Sequence, residues 1–273
     1  MEISNSLREK LTNLTKFLTD KKVIVAFSGG VDSSLLAFLS NKHAIKTLLV
    51  IGSSTLFSDK EIREASEFAE RYDIPYLIIE VDPLEDELFS ENPPNRCYYC
   101  KKLLYSEILN IKDQNNYDMV IDGTNISELE GHRPGYRALQ ELDISVPYVN
   151  FNLGKEDIRT LSKYFGLSLH AKPANACFAT RIEYGLSITN ELMGRIKSAE
   201  NFLRDRFNLI QLRVRHHHGN LARIEVLKDE LLNICNQETF SIIEDKFKEL
   251  GFTYVTIDLG GFKSGSMDRN LDI

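Results

Sequence analysis

Between Val23 and Leu39 the chain reads VIVAFSGGVDSSLLAFL, which is an apolar run, a Ser-Gly-Gly turn, one carboxylate and a second apolar run. A strand that leads directly into a helix leaves backbone N–H groups of the first helical turn unpaired, and the helix dipole adds positive charge beside them. Such a turn binds an anion, typically phosphate. Gly29 and Gly30 permit close approach of the backbone, and Asp32 is placed to cap the helix or to hold a phosphate-bound metal.

Other known loops of this kind do not fit the residues. A Walker loop needs a lysine before the Ser/Thr, and a Rossmann loop needs G-x-G-x-x-G; the stretch has neither. A G-x-S-x-G nucleophile elbow cannot be drawn through it. The remaining alternative is a tight strand-to-helix turn that binds nothing.

Three of the four cysteines are placed for chemistry. Cys97 and Cys100 form a Cys-x-x-Cys pair, and Cys177 lies in a stretch rich in turn formers. Such a pair is half of a zinc site, a dithiol redox pair or part of an iron–sulfur site, and the two lysines after Cys100 favour thiolates. Cys235 lies among apolar residues of a helical pattern and is expected to pack in the core.

The length and the net charge of the chain limit the classes of protein to which it can belong. The 273 residues are enough for two domains, and the net charge of −7 disfavours a broad nucleic-acid surface. The amino terminus is charged and amphipathic rather than a secretory signal, and no apolar run approaches membrane-spanning length. We therefore expect a cytoplasmic protein that binds neither membrane nor nucleic acid, with cysteines used for metal or redox chemistry.

Short apolar runs alternate with helical patterns along the first part of the chain. The runs cover residues 22–27, 45–52, 75–81, 118–123 and 144–151. This alternation is typical of a parallel sheet covered on both faces, so we predict a doubly wound α/β domain. Ligands of such sheets gather beyond the carboxyl ends of the strands, where the Ser28–Ser34 turn, the loop after Asp122 and the loop before Cys97 should converge.

Past about Ile188 the pattern changes to a mixture of helices and a hairpin. A turn at Gly219–Asn220 joins two antiparallel strands, which parallel units do not do, so we predict a second, smaller α+β domain. A continuous helix is expected over 231–250, and His216–His218 are expected to be exposed imidazoles. The predicted domains are residues 1–170, a connecting loop 171–187 that carries Cys177, and residues 188–273.

The motifs resemble those of a known family. SGGVDSS resembles the SGGxDS motif of PP-loop ATP pyrophosphatases, which cleave ATP between its α and β phosphates, and IDGTN is similar to their second nucleotide loop. With CYYCKK, GHRPGYRAL, ACFATRIEYG, QLRVRHH and TIDLGGFKSG, in this order, the chain looks like the LarE family of ATP-dependent sulfur transferases. That family helps to build the nickel-pincer nucleotide cofactor, and the resemblance covers nearly the whole chain.

The resemblance implies a reaction and a set of residues. A carboxylate of pyridinium-3,5-biscarboxylic acid mononucleotide attacks the α phosphate of ATP with help from Mg²⁺, pyrophosphate leaves, and sulfur then displaces AMP. The residues implied to bind ATP are Ser28, Gly29, Gly30, Asp32, Ser33, Ser34, Gly123 and Thr124. Those implied to bind the substrate are Thr180, Arg181, Glu200, Arg213 and Arg215. Cys177 and Asp32 are the implied catalytic residues.

Spacing supports one part of that set. Arg213 and Arg215 lie two residues apart on a strand, hence on one face, where paired guanidinium groups recognise phosphate and carboxylate. The alternative is a solvated strand face.

A homo-oligomer is also implied by the resemblance.

The family uses two sources of sulfur. In one, a single cysteine that matches Cys177 surrenders its own sulfur and becomes dehydroalanine. In the other, three cysteines hold a 4Fe-4S cluster with one iron open to carry sulfide, and Cys97, Cys100 and Cys177 match this pattern. Zinc bound by three cysteines is the inorganic alternative. The cluster mode implies an external sulfur donor that recharges the site.

Two rival functions are a related PP-loop enzyme and, from a different class, a protein without catalytic activity. A cluster-dependent tRNA thiolase would share the phosphate loop and the three cysteines, but it needs a basic RNA surface. A non-catalytic nucleotide or metal sensor would keep the fold without turnover. The intact SGGVDSS motif disfavours the sensor.

Overall fold

The computed structural model describes residues 2–129, 133–168, 177–263 and 265–268. The chain divides into two compact units, the first made of residues 1–83 and 97–175 and the second of residues 84–96 and 176–273. Residues 84–96, which precede the cysteine pair, thus belong to the second unit. None of the helices in the described ranges is long and apolar enough to cross a membrane.

Strands and helices are numbered in chain order. The strands are β1 (Lys22–Ala26), β2 (Lys46–Ser53), β3 (Tyr76–Glu80), β4 (Met119–Ile121), β5 (Leu212–His217), β6 (Leu221–Val226) and β7 (Tyr254–Ile257). The helices are α1 (Asn5–Leu18), α2 (Val31–His43), α3 (Asp59–Arg71), α4 (Glu87–Ser90), α5 (Arg96–Gln114), α6 (Pro134–Glu141), α7 (Pro147–Asn150), α8 (Lys155–Tyr164), α9 (Asn190–Phe207), α10 (Leu231–Ile234) and α11 (Gln237–Glu249).

The first unit is built on a four-stranded parallel sheet in the order β3-β2-β1-β4. Val23 and Val25 of β1 belong to one hydrophobic cluster, with α1, α2, α3 and α8, while Ile24 belongs to another with α5 and α6. All three side chains are fully buried because helices cover both faces of the sheet. The predicted doubly wound fold is confirmed. The strand order reverses between β1 and β4, so the loops after these strands meet at one edge.

The strand predicted over 144–151 is wrong. This segment contributes a single bridge, between Ile121 and Ser145, and then forms α7. Pro147 explains the difference, because it has no N–H for a strand ladder and its fixed φ suits the first turn of a helix, where it lies.

The second unit contains a three-stranded sheet in the order β5-β6-β7. β5 and β6 are antiparallel and joined at His218–Asn220, where Gly219 has a φ of 72°, so the predicted hairpin is present. The predicted helix 231–250 is instead two helices, because Asn236 caps α11 by accepting a hydrogen bond from the Thr239 N–H at 3.0 Å. Cys235 lies at this break and is half-buried rather than part of the core.

Candidate active site

The loop between β1 and α2 forms an anion cradle. Gly30 is the N-cap of α2 and has no side chain to accept hydrogen bonds from the first helical turn. Gly29 has a φ of 66°, and a Cβ atom there would lie 3.0 Å from the Cβ of Ala65. Glycine at position 29 is therefore required by backbone conformation and by packing. The hydroxyls of Ser28, on this loop, and Ser33, in the first turn of α2, lie 3.1 Å apart.

The loop after β4 packs on this cradle. A Cβ atom at Gly123 would lie 3.1 Å from the backbone nitrogen of Ser33. Asn125 is fully buried, with its Nδ2 3.4 Å from Asp32 Oδ1. Within the described residues, the Oδ1 of Asn125 and the hydroxyl of Ser34 are buried without hydrogen-bond partners. Buried polar atoms of this kind are rare and indicate a place for a polar ligand or water.

Asp32 contacts a lysine from a distant element. The Nζ of Lys155, the first residue of α8, lies 2.5 Å from Asp32 Oδ2. The start of α8 is fixed because the Lys155 N–H donates to the hydroxyl of Ser127 at 3.1 Å and Gly154 is the N-cap. The SGGVDSS loop therefore gains a cation from outside its own sequence.

Asp122, directly after β4, links the cysteine-bearing helix α5 to this region. It accepts hydrogen bonds from Lys101 Nζ at 3.2 Å, from the Tyr105 hydroxyl, and from the N–H and hydroxyl of Thr124. Burial opposes ionisation of Asp122, but Lys101 and these hydrogen bonds together lower its pKa. Burial raises the pKa of Tyr105 well above its ordinary value, and the charges of Asp122 and Cys100 add to the rise.

Cys97 and Cys100 are the second and fifth residues of α5. Residues three apart on a helix share one face, so both thiols project from the same side. Cys97 is exposed and Cys100 is half-buried. Because Lys101 follows Cys100 and binds Asp122, the pair is tied to the edge of the sheet that carries the phosphate loop.

In the second unit, Cys177 immediately precedes a short 3-10 helix, Phe178–Arg181. The backbone carbonyl of Cys177 accepts hydrogen bonds from the Thr180 hydroxyl at 2.8 Å and from Arg181 Nη1 at 3.1 Å. Arg181 also pairs with Glu200 of α9, at 2.9 Å between Nε and Oε1, and both side chains are buried. The backbone of Cys177 is thus anchored to α9 through Arg181.

Arg215 of β5 extends this network. Its Nη2 lies 2.8 Å from Oε2 of Glu225 on β6, and its Nη1 donates to the backbone carbonyl of Thr180 at 3.0 Å. Arg215 is only 4% exposed, so the alternative of a solvated strand face is wrong for this residue.

Arg213 is buried beside Arg215 but differs in its partners. Its Nη1 donates to the carbonyl of Leu212 at 2.8 Å and its guanidinium lies 5.2 Å from the ring centre of Phe262. Among the described residues, no carboxylate forms an ion pair with it. Burial, with the nearby charges of Arg181 and Arg215, lowers the pKa of Arg213 to about 10. A buried guanidinium without a carboxylate is suited to bind an anion from outside the protein.

The implied metal centres fit the residues to different degrees. Cys97 and Cys100 supply two thiol ligands on one helix face, which suits iron–sulfur clusters or zinc. However, no group of three or more His, Cys, Asp or Glu side chains that could hold a metal ion occurs within residues 2–129, 133–168, 177–263 and 265–268. For Mg²⁺ the fit is simpler, since this ion commonly takes one carboxylate and the phosphates of its nucleotide, and Asp32 supplies the carboxylate.

The structure brings together the predicted residues of each unit and adds several that sequence reasoning missed. In the first unit the additions are Lys155, Asn125 and Tyr105. The sequence did contain a signal for Asn125, because this residue belongs to the quoted IDGTN motif. Lys155 gave no signal, since it lies far along the chain from the loop that it contacts. In the second unit the addition is Glu225, whose partner on β5 depends on strand register.

The sheet order and the loop at the end of β1 define the class, a doubly wound α/β protein with a PP-loop fold. The family model of NAD synthase matches residues 2–106. The structure of NMN synthetase from Francisella tularensis aligns with a TM-score of 0.52, at 21% identity, over 64% of this chain and 76% of that chain. This likeness shows the fold.

Relatives that extend over the full chain give the family. The pyridinium-3,5-bisthiocarboxylic acid mononucleotide synthase of Lactiplantibacillus plantarum is 32% identical over 97% of this chain and 96% of its own length. An uncharacterised protein of Methanocaldococcus jannaschii is 35% identical over 97% of each chain. The chain belongs to the pyridinium-3,5-bisthiocarboxylic acid mononucleotide synthase family, the LarE family. The resemblance predicted from the ordered motifs is confirmed.

Proposed function

We propose that the protein is an ATP-dependent sulfur transferase. It adenylates a carboxylate of pyridinium-3,5-biscarboxylic acid mononucleotide, releases pyrophosphate, and replaces AMP by sulfur to give a thiocarboxylate. The name of the Lactiplantibacillus plantarum relative supports this product class. The observation that carries the proposal is the arginine cluster beside Cys177, because a substrate with one phosphate and two carboxylates needs several cations.

The first unit holds ATP in this proposal. The hydroxyls and N–H groups of the Ser28–Ser34 loop contact its phosphates, and Gly123 and Thr124 border them on the side of β4. Asp32 would hold Mg²⁺, which when bound would neutralise charge on the departing pyrophosphate. The transfer needs no protein nucleophile at phosphorus, because positioning and electrostatic stabilisation lower the barrier.

The second unit holds the mononucleotide. Arg213 and Arg215 bind its anionic groups, while Arg181 and Thr180 keep the backbone of Cys177 in place. Glu200 keeps the Arg181 guanidinium oriented. The carboxylate that is not adenylated is neutralised by the same cluster.

Cys97, Cys100 and Cys177 are the proposed sulfur-handling residues. We propose that they are the ligands of a 4Fe-4S cluster, which when bound would supply the sulfur that enters the substrate. The alternative within the same family is direct donation of the Cys177 sulfur. We also propose a cytoplasmic homo-oligomer that receives sulfur from a donor still to be identified.

Pyrophosphate release tests the reaction. Protein supplied with ATP, Mg²⁺ and the pyridinium mononucleotide should release pyrophosphate, and mass spectrometry should detect the thiocarboxylate. Protein supplied with tRNA in place of the mononucleotide should release none. Release with tRNA alone would replace the proposal by the tRNA thiolase, and release with neither substrate would favour the sensor.

Iron and sulfide analysis of anaerobically purified protein tests the sulfur source. We expect broad brown absorbance that is lost in Cys97→Ala, Cys100→Ala and Cys177→Ala and kept in the control Cys235→Ala. Colourless protein with stoichiometric zinc would overturn the cluster. A Cys177 that loses the mass of H₂S during turnover, without iron, would establish the sacrificial mode instead.

A further inference from the structure

The phosphate loop has no cation of its own. The seven residues SGGVDSS contain no lysine or arginine, and their one charged side chain is the carboxylate of Asp32. A polyphosphate carries several negative charges, so backbone N–H groups and hydroxyls alone leave much of its charge uncompensated. A protein cation close to the loop would therefore strengthen binding, both beside Mg²⁺ and in its absence.

Lys155 occupies the appropriate position. Its Nζ lies 2.5 Å from Oδ2 of Asp32. Asp32 is in the first turn of α2, the end of the helix where free N–H groups favour an anion. Both side chains are partly exposed, Lys155 by 29% and Asp32 by 18%, so solvent and ligand reach the pair. The ammonium group thus lies at the mouth of the cradle.

The ion pair is not needed to hold α8 in place. On α8, Asp157 is bound by Lys10 of α1 at 2.7 Å, and the backbone N–H of Lys155 is bound by Ser127. Ile158 and Leu161 bury the inner face of α8 in the hydrophobic cluster. Partly exposed ion pairs contribute little to stability, which leaves a ligand-directed role for the Lys155 ammonium.

We propose that Lys155 is the phosphate-binding cation of this site, taking the role that a lysine within the loop has in Walker-type proteins. In the free protein the ammonium neutralises Asp32, and on nucleotide binding it moves to the polyphosphate. The inference rests on the proposed ATP site and deepens it. Glu128 interacts electrostatically with both Asp32 and Lys155. Burial and the charge of Asp32 raise the pKa of Glu128, and the charge of Lys155 opposes this rise.

Calorimetric titration with inorganic pyrophosphate and with ATP tests the assignment, first in EDTA and then with Mg²⁺. We expect Lys155→Met to weaken pyrophosphate binding by about 10- to 100-fold, the usual effect of losing one charge-assisted hydrogen bond. Lys155→Arg should restore most of the affinity. Lys163→Met is the matched control, because Lys163 lies exposed on the same helix, and it should bind as the wild type does.

A double-mutant cycle separates a direct role from a structural one. In EDTA, Asp32→Asn should strengthen pyrophosphate binding, because Lys155 is released from its partner, and this gain should shrink in Asp32→Asn/Lys155→Met. Equal affinity of wild type and Lys155→Met would overturn the inference, as would an undiminished gain in the double variant. Thermal unfolding of each variant shows whether a loss of pyrophosphate affinity comes from misfolding. If Lys155→Met is misfolded, the affinity of Lys155→Arg decides whether the positive charge at position 155 binds pyrophosphate. Wild type that binds ATP and pyrophosphate but forms no thiocarboxylate would contradict the proposed function while leaving the role of Lys155 intact.

Discussion

Glu200 and Arg181 are joined by two hydrogen bonds inside the second unit, at 2.9 Å and 3.4 Å. The Oε1 atom that accepts the shorter bond also accepts the N–H of Val214 at 3.1 Å. One carboxylate therefore fixes both the arginine that anchors Cys177 and the strand that carries Arg213. A buried pair stabilises a fold only while both partners are present, since each alone is an uncompensated charge.

Arg181→Met should destabilise the second unit by about 3 kcal/mol, because buried Glu200 loses its close, hydrogen-bonded cation and keeps only the more distant Arg204, whose Nη2 lies 3.9 Å from Oε2. The double variant Arg181→Met/Glu200→Met should be less destabilised than the single one. Urea unfolding followed by circular dichroism measures both. Arg206→Met, at an exposed position on α9, is the control and should change stability little. Equal stability of wild type and Arg181→Met would contradict this account.

Gly29→Ala should lower the free energy of unfolding by more than the same substitution does at another glycine of positive φ. Gly166 is the matched comparison, with a φ of 71° and open space around its Cβ position, so its replacement costs only the backbone penalty of about 1–2 kcal/mol. Gly29→Ala adds a 3.0 Å contact with Ala65. Measured by denaturant unfolding, Gly29→Ala should cost less in an Ala65→Gly background than in the wild type, because the Cβ contact is gone while the Ala65 Cα, at 3.3 Å, remains. Similar losses at both glycines would show that the contact is unimportant.

Acid should destabilise the protein through His216. Burial lowers the pKa of His216 to about 4, so the folded state keeps the imidazole neutral while the unfolded state protonates it near its ordinary value. The stabilisation from the neutral imidazole is fully present when the pH is above the ordinary pKa of histidine. It is lost as the pH falls toward the pKa of His216 in the folded state. Between about pH 7.5 and pH 5 the wild type should lose about 2 kcal/mol more than His216→Phe.

Comparison of the wild type with His216→Phe isolates the effect of protonating the imidazole. Phenylalanine keeps the ring contact with Phe252, whose centre lies 6.0 Å from that of the imidazole. Urea unfolding at both pH values measures the effect, and His218→Asn, at an exposed position in the turn after β5, should behave as the wild type does. Parallel pH profiles for wild type and His216→Phe would remove His216 as the cause.

Asp32→Ala should abolish adenylation without disturbing the cysteines. Loss of one electrostatic group at the transition state typically slows a reaction on the order of 100-fold or more, so pyrophosphate release should fall by at least that factor. Iron and sulfide content should stay unchanged. Asp59→Ala, in the first turn of α3, serves as the control for loss of an acidic residue from a helix start. Unchanged release in Asp32→Ala would refute the role of Asp32.

The sequence predicted the local backbone geometry of parts of the candidate site. Gly29, Gly30 and Asp32 lie within one strand-to-helix junction, so their conformation follows from adjacent residues. The same holds for Cys177, Thr180 and Arg181, which share one short helical turn.

The rest depended on tertiary structure. The contact of Lys155 with Asp32 joins residues on two helices far apart in the chain, and no spacing rule connects them. His216 was expected to be exposed, but it is 7% exposed because β5 is covered on both faces. Pro147 marked the end of a strand pattern, yet the apolar residues around it outweighed that signal in the prediction.

The strand order of the first sheet sets a constraint on synthesis. β1 pairs with β2 on one side and with β4 on the other, and β4 leaves the ribosome only after residue 121 has been made. Until then the nascent chain carries the finished Ser-Gly-Gly turn on a strand whose second edge is open and apolar, the kind of edge that invites aggregation. Chaperone capture of nascent chains should therefore be strongest between the completion of β3 and the emergence of β4.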